Sequence, residues 1–301
     1  MDPAITIGLR LALYLDLMLL FGLLLFHTPT ACQSRHLQRL VPGLALLGLL
    51  LSLAAMLQLA LDLSGLSHVS ELQAQTLWML WTQTAVGQSW GVRLLMLLAV
   101  LALAGHARAS LRRWIALGCA GIALATLAWA GHGAMSEGTR HVLHLFNDIL
   151  HLWAAGAWIG ALAAFLLLLY SRAPADEAQV RLLASRLRGF EQAGGLIVFS
   201  LLLSGVLNHL LVSGPEFITL QDGLYGSLLL LKLLLFAVML ALAALNRWQL
   251  TPQLQRSIQS GDHRAAIAAL RRSLTLEASL AVLVLCLVAW LGTLSPTSAR
   301  S

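Results

Sequence analysis

His141, His144, Asp148 and His151 follow one another at intervals of three, four and three residues within the run His141-Val-Leu-His144-Leu-Phe-Asn147-Asp148-Ile-Leu-His151-Leu-Trp153. On a helix those intervals keep all four side chains on one face. The face continues through Ala155, Trp158 and Leu162 into a segment that stays apolar as far as Tyr170. Ionisable groups at the end of an apolar span are costly to bury, so they mark a functional site. Neutral imidazole is the commonest biological metal ligand, and His with Met suits copper better than calcium or magnesium. His132, Met135 and His209 are the companions expected at the same depth, giving the ligand set His132, His144, His151, His209 and Met135. The plainer alternative is that some of these His cap helix ends or donate to carbonyls, and His141 is expected to be exposed. Asp148 is expected to pair with Lys232 or Arg93, and to orient a ligating His rather than bind metal itself. Asn208 lies beside His209 in the same reading.

The elements that position these residues follow from composition. The chain has 301 residues, 59% hydrophobic and 11% charged, with a mean hydropathy of +0.82. A soluble domain is about one quarter charged, and its length alone would suit two such domains. Apolar runs near the 20 or so residues needed to cross a bilayer place it instead among membrane proteins. The net charge of +6 does not indicate nucleic acid, because Arg-rich cytoplasmic loops raise the pI of membrane proteins. Cys32, Cys119 and Cys286 lie far apart without CxxC spacing, so neither a disulfide framework nor a zinc knuckle is indicated. Met1-Asp2-Pro3 lacks a basic n-region and Asp16 interrupts the following run, which reads as a retained first helix.

Eight spans are expected, at 4–26, 39–63, 90–107, 113–131, 143–170, 190–212, 226–248 and 273–294. They do not alternate as barrel strands must, and isolated spans have to satisfy their backbone groups internally, so they are helices. The fold class is all-α, a polytopic membrane protein forming a single domain over 1–301. The segments 27–38, 108–113, 171–189 and 247–272, with Arg39 at the edge, hold 14 of the 19 basic residues. The positive-inside rule makes them cytoplasmic and puts both termini in the periplasm. The fifth helix then starts outside, while the fourth and sixth end there, so three helix ends gather the His residues. Trp78 and Trp81 in the loop 64–89 suit an interfacial helix. The segments 171–189 and 255–272 read as solvated helix extensions.

A sparser trail of polar and sulfur-bearing residues runs through the other spans. Asp16, Cys119, Glu191, Glu277 and Cys286 form a candidate inward path, with Met18, Met56, Met96 and Met239 scattered nearby. Carboxylates at such depth suit a proton or ion path. The alternative for Glu191 and Glu277 is that they reach the interface or pair with Arg188, Arg271 or Arg272. His27, Cys32 and His36 form a weak candidate exit site. No phosphate-binding loop or DKTG-type phosphorylation site is found, so movement of a cargo would depend on a gradient or on partner affinity.

Three segments resemble the copper resistance protein D (CopD) family of bacterial inner-membrane proteins. They are HLFNDILHLWAAGAWIGA over 144–161, YGSLLLLKLLLFAVMLALAALNR over 225–247, and the RRS–E pattern Arg271, Arg272, Ser273 and Glu277. The resemblance implies a multi-pass inner-membrane protein of about eight helices that handles copper (Cu+ or Cu2+), transports it from periplasm to cytoplasm and is not an enzyme. It also implies a periplasmic copper-binding partner of the CopC type. Two other classes fit the residues: a b-type haem oxidoreductase, with His151 and His209 as axial ligands and Arg93 and Arg140 near the propionates, and a copper-binding sensor or scaffold that transports nothing.

Overall fold

Long runs of Leu, Ala and Val fold here as helices because each helix satisfies its own backbone groups and needs no water to do so. The computed structural model describes residues 3–26, 31–66, 68–104, 110–130, 139–170, 177–213, 223–260 and 263–294. Its helices are α1 (Pro3–Leu25), α2 (Ala31–Ser64), α3 (Ala74–Gln83), α4 (Ala85–Ala104), α5 (Ser110–Ala125), α6 (Thr139–Tyr170), α7 (Glu177–Ser213), α8 (Gly223–Leu245), α9 (Thr251–Ser260) and α10 (Arg264–Leu291). A 3-10 turn, Thr126–Ala130, extends α5, and a π-helical segment, Asn246–Leu250, joins α8 to α9. Eight of these rods are long and apolar enough to cross a membrane. The chain is an all-helical, multi-pass membrane protein.

The crossing helices alternate in direction, so Pro3 and Leu294 come to one face of the bundle, called here the terminal face. Arg10 of α1 donates to the carbonyl of Gly292 there, tying the first helix to the end of the last. α6 starts at the terminal face and packs on α1, α5, α7 and α10. Its most apolar window is 56% buried, against 11% for those of the sixth and seventh spans. The His-bearing helix is therefore central, whereas α7 and α8 show Leu196, Phe199, Leu230 and Leu234 to the lipid.

Two apolar clusters share α6. One joins α1, α2, α4 and α5 around Leu17, Leu20, Leu97 and Leu124. The other joins α6, α7, α9 and α10 around Phe165, Leu183, Leu254 and Leu270. The helices α1 and α6 cross at Gly22, Gly156 and Gly160, where a Cβ on Gly22 would overlap the Gly156 carbonyl and the Gly160 backbone. Small residues permit that approach, which in lipid replaces the hydrophobic drive of a soluble core.

Two expectations need correction. The third span starts at Ala85 rather than 90, because Thr84 caps it, its Oγ1 accepting the Gly87 N–H at 3.0 Å. The charged segments flanking the sixth and eighth spans are not simply solvated. In them Val180, Leu183, Leu187, Leu254, Ile267 and Leu270 are buried against one another, so their charges line only the outward side. The Trp-bearing helix is present as α3, with Trp78 64% and Trp81 46% exposed.

Candidate metal site and a buried carboxylate centre

On the terminal-face half of α6, His144, Asn147, Asp148 and His151 occupy consecutive turns of the face that meets α7 and α8. His144 is buried, and its Nε2 lies 3.8 Å from Asp148 Oδ2. Asn147, also buried, ties α6 to α7: its Nδ2 donates to the Ser204 carbonyl at 2.9 Å and to Asn208 Oδ1 at 2.5 Å. The Asn208 side chain and Lys232 of α8 are near enough to act on Asp148, and the Lys232 charge also acts on His151. Asp148 is thus the hub of a charge network rather than an isolated acid. Lys232 acts on it by its charge at a distance, without a contact ion pair.

Arg93 does not join that network. It is 2% exposed on α4, and its Nε donates to Thr126 Oγ1 at 2.7 Å, so the alternative Asp148–Arg93 pairing is not adopted. Tyr14 of α1 is near enough to Arg10, Arg93 and Asp148 for their charges to act on it.

The hydrogen bonds fix the tautomer of His151. Ser204 has one hydroxyl proton, and its Oγ is 2.5 Å from the Ser200 carbonyl, which can only accept. At 2.8 Å from the same Oγ, His151 Nδ1 must therefore be the donor. Its Nε2 then carries the lone pair a metal needs. His144 and His151 are seven residues apart, or roughly 10 Å along the helix, whereas a metal–nitrogen bond is about 2 Å. The two imidazoles cannot hold one ion together; they are successive positions along one stripe.

His209 is half-buried on α7, offset by roughly 100° from Asn208 around the helix. His141 is half-buried rather than exposed. His132, Met135, His27 and the side chains of Cys32, His36 and Arg140 lie outside the described residues, within which three His, Cys, Asp or Glu side chains are nowhere gathered as a ready metal site. Asn147 bonds directly to Ser204 and Asn208 near the level of the candidate His151–His209 haem pair, tying α6 to α7 there.

The remaining path residues are dispersed. Asp16 is 3% exposed between α1 and α2, its Oδ2 only 2.5 Å from where a Cβ on Gly48 would stand. Cys119 packs beside the first apolar cluster, and Cys286 is half-buried on α10. Met18, Met96 and Met239 belong to the two large apolar clusters, and Met56 to a smaller one near α3.

Glu277 forms a second centre toward the opposite face. It is 2% exposed, and its carboxylate accepts the Trp158 Nε1–H at 2.7 Å and the Asn246 Nδ2–H at 2.9 Å. Of the alternatives for Glu277, pairing with Arg188 or Arg271 is not the one adopted here: Arg188 bonds Gln255, and Arg271 lies over the Tyr170 ring at 5.6 Å. A cavity of about 280 Å³ opens beside Glu277, lined also by Glu191, Arg247 and Thr251. The sequence signals for this centre were present but unconnected, since Trp158, Asn246 and Glu277 stand in three separate segments.

A helical bundle with eight membrane-crossing rods and two intramembrane polar centres defines a polytopic membrane protein. Residues 1–142 match the family described as copper resistance protein D-like, N-terminal domain, and residues 184–291 match copper resistance protein D. The chain is 43% identical over 307 aligned residues to copper resistance protein D of Pseudomonas syringae pv. tomato, covering 98% of each chain. It is 28% identical over 302 residues to the inner membrane protein YebZ of Escherichia coli strain K12, covering 96% of this chain and 98% of that one. No solved structure matches it. The chain belongs to the copper resistance protein D family. Most of α6 falls between the two matched stretches, although it packs against helices from both.

Proposed function

We propose that the chain is an inner-membrane copper transport protein, with its terminal face in the periplasm, that carries copper from periplasm toward cytoplasm. The observation that carries this reading is the buried stripe on α6, where His144 faces Asp148 and His151 is held by Ser204 with Nε2 available. Family membership supplies copper as the cargo. The relatives' names, one a copper resistance protein and one an inner membrane protein, support both cargo and location. Arg-rich loops at the face opposite the chain ends support the orientation.

Copper arrives from a periplasmic carrier of the CopC type and is met first by His209, with His132 and Met135, which lie outside the described residues, as its further candidate ligands. It then passes from His144 to His151. Neutral imidazoles bind Cu+ or Cu2+ without adding charge to the membrane interior. Asp148 stands beside them with the more distant Lys232 charge acting on it, so an arriving cation meets an acid whose charge is already partly compensated. That keeps binding weak enough for release, as a conduction site requires. No catalytic step is assigned.

Reconstitution tests the reading. Proteoliposomes holding the purified chain and a chelator inside should accumulate isotopic copper faster than protein-free liposomes. Copper bound by the protein with no flux would replace transport by a sensor or scaffold role.

A further inference from the structure

The Glu277 centre is not used by the copper stripe, and it has the parts of a site for a different ion. Its two bonded partners, Trp158 and Asn246, are neutral N–H donors, so the carboxylate is solvated by dipoles. The Oδ1 of Asn246 is buried, lines the same centre and has no hydrogen-bond partner. An orphaned acceptor beside a carboxylate asks for a donor, since a buried polar atom left unmade costs about 1–3 kcal/mol. A metal cation would need more oxygens than this; sodium- or calcium-like ions take roughly six or more. A proton needs one oxygen to bind and one to receive its hydrogen bond. Glu277 and Asn246 supply both.

Trp158 connects this centre to the copper stripe. It lies seven residues beyond His151 on α6, and its ring meets Phe236 of α8 edge-on at 5.9 Å. Phe236 is itself one turn beyond Lys232. The Trp158–Phe236 pair thus stands between the two polar centres, and the bond holding Trp158 ends on Glu277. Charge-assisted hydrogen bonds are roughly twice as strong as neutral ones.

We propose that Glu277 is a proton-binding residue whose loading releases the aromatic partition between the His151 stripe and the inner cavity. A proton passes from a hydronium ion in the cavity to a Glu277 carboxylate oxygen, forming an O–H bond and leaving water. The new hydroxyl donates to Asn246 Oδ1 while Asn246 Nδ2–H still donates to the other oxygen, as in an acid–amide pair. The Trp158 N–H then faces a neutral acid and is held less firmly. Loss of the proton to cavity water restores the closed arrangement. The other charged groups facing this cavity are Glu191 from α7 and Arg247 from the π-helical segment; α6 and α8 add none. Arg271 and Arg272, on the same helix as Glu277, are exposed.

The link to copper rests on the transport reading above, whereas proton binding does not, so two arms separate them. In the first, infrared difference spectra of the full chain in nanodiscs, without metal, follow the protonated-carboxyl stretch as pH is lowered. The wild type should show a band that is lost in Glu277→Gln, shifted in Glu277→Asp and retained in Glu191→Gln. Persistence of that band in folded Glu277→Gln overturns the proposal. The Glu277→Asp chain, which keeps a carboxyl, guards against reading misfolding as loss. In the second arm, copper flux into proteoliposomes should respond to an imposed pH gradient in the wild type and lose that response in Glu277→Gln. A response kept in Glu277→Gln overturns the coupling, whereas absence of any wild-type flux contradicts transport and leaves the infrared result standing.

Discussion

At the scale of single residues, what matters is how each imidazole is held. His151 donates through Nδ1 because Ser204 has spent its own proton on Ser200, so the serine selects the tautomer that exposes Nε2. Replacing Ser204 with Ala should weaken copper binding about tenfold or more, the usual cost of losing a partner behind a ligating His, and Ser204→Thr should restore it. A copper titration of the purified variants checks this. Asn147 bridges α6 to α7 through two bonds, and in lipid such bonds are each worth about 1 kcal/mol or less. Asn147→Ala should accordingly lower the unfolding temperature in detergent only slightly, while loosening the Asp148 network through Asn208. The shared face of His144, Asp148 and His151 was legible in the sequence because helical periodicity is local. The roles of Asn147 and Ser204 were not, since they depend on the register of α6 against α7. The rejection of Arg93 as a partner has the same origin: spacing gives depth in the membrane but not the direction around the helix.

Among the elements, α6 joins the two halves of the bundle, and its closest approach is to α1. Gly156-Ala-Trp-Ile-Gly160 is a small-xxx-small pattern, and Gly22 of α1 sits against it without room for a methyl group on either side. Gly160→Ala should separate the helices and cost roughly 1–3 kcal/mol or more, as overpacking does, with a larger loss of thermal stability than Gly118→Ala. Nothing lies within 4 Å of a Cβ added at Gly118, so that variant is the control. Thermal unfolding of the two variants in the same detergent decides it. The glycine pair was visible in the sequence, but its partner on α1 could not be read from it. The π-helical turn at Asn246–Leu250 was equally hidden: its wider backbone aims Asn246 at Glu277, and such turns often occur at functional sites. Separate segments of the sequence supplied Trp158, Asn246 and Glu277, and only the tertiary fold placed them at one centre.

For the whole molecule, the number of crossings and the all-helical class were legible because hydropathy is a bulk property that tertiary contacts do not override. Helix ends were less so, since caps such as Thr84 and docked amphipathic extensions depend on particular bonds and neighbours. The proposed orientation rests on the Arg-rich loops and is open to direct test. With Cys32, Cys119 and Cys286 replaced, a cysteine at Gln73 should react with an impermeant maleimide added to intact spheroplasts. One at Arg112 should react only after the membrane is opened, and the reverse pattern would invert the topology. The central claim is that copper crosses by way of the α6 imidazoles. Its most direct test is uptake of isotopic copper by spheroplasts carrying the wild-type chain or the His144→Ala, His151→Ala double variant at equal membrane abundance. Uptake in the double variant should fall to the level of cells lacking the protein; uptake equal to wild type would contradict the account.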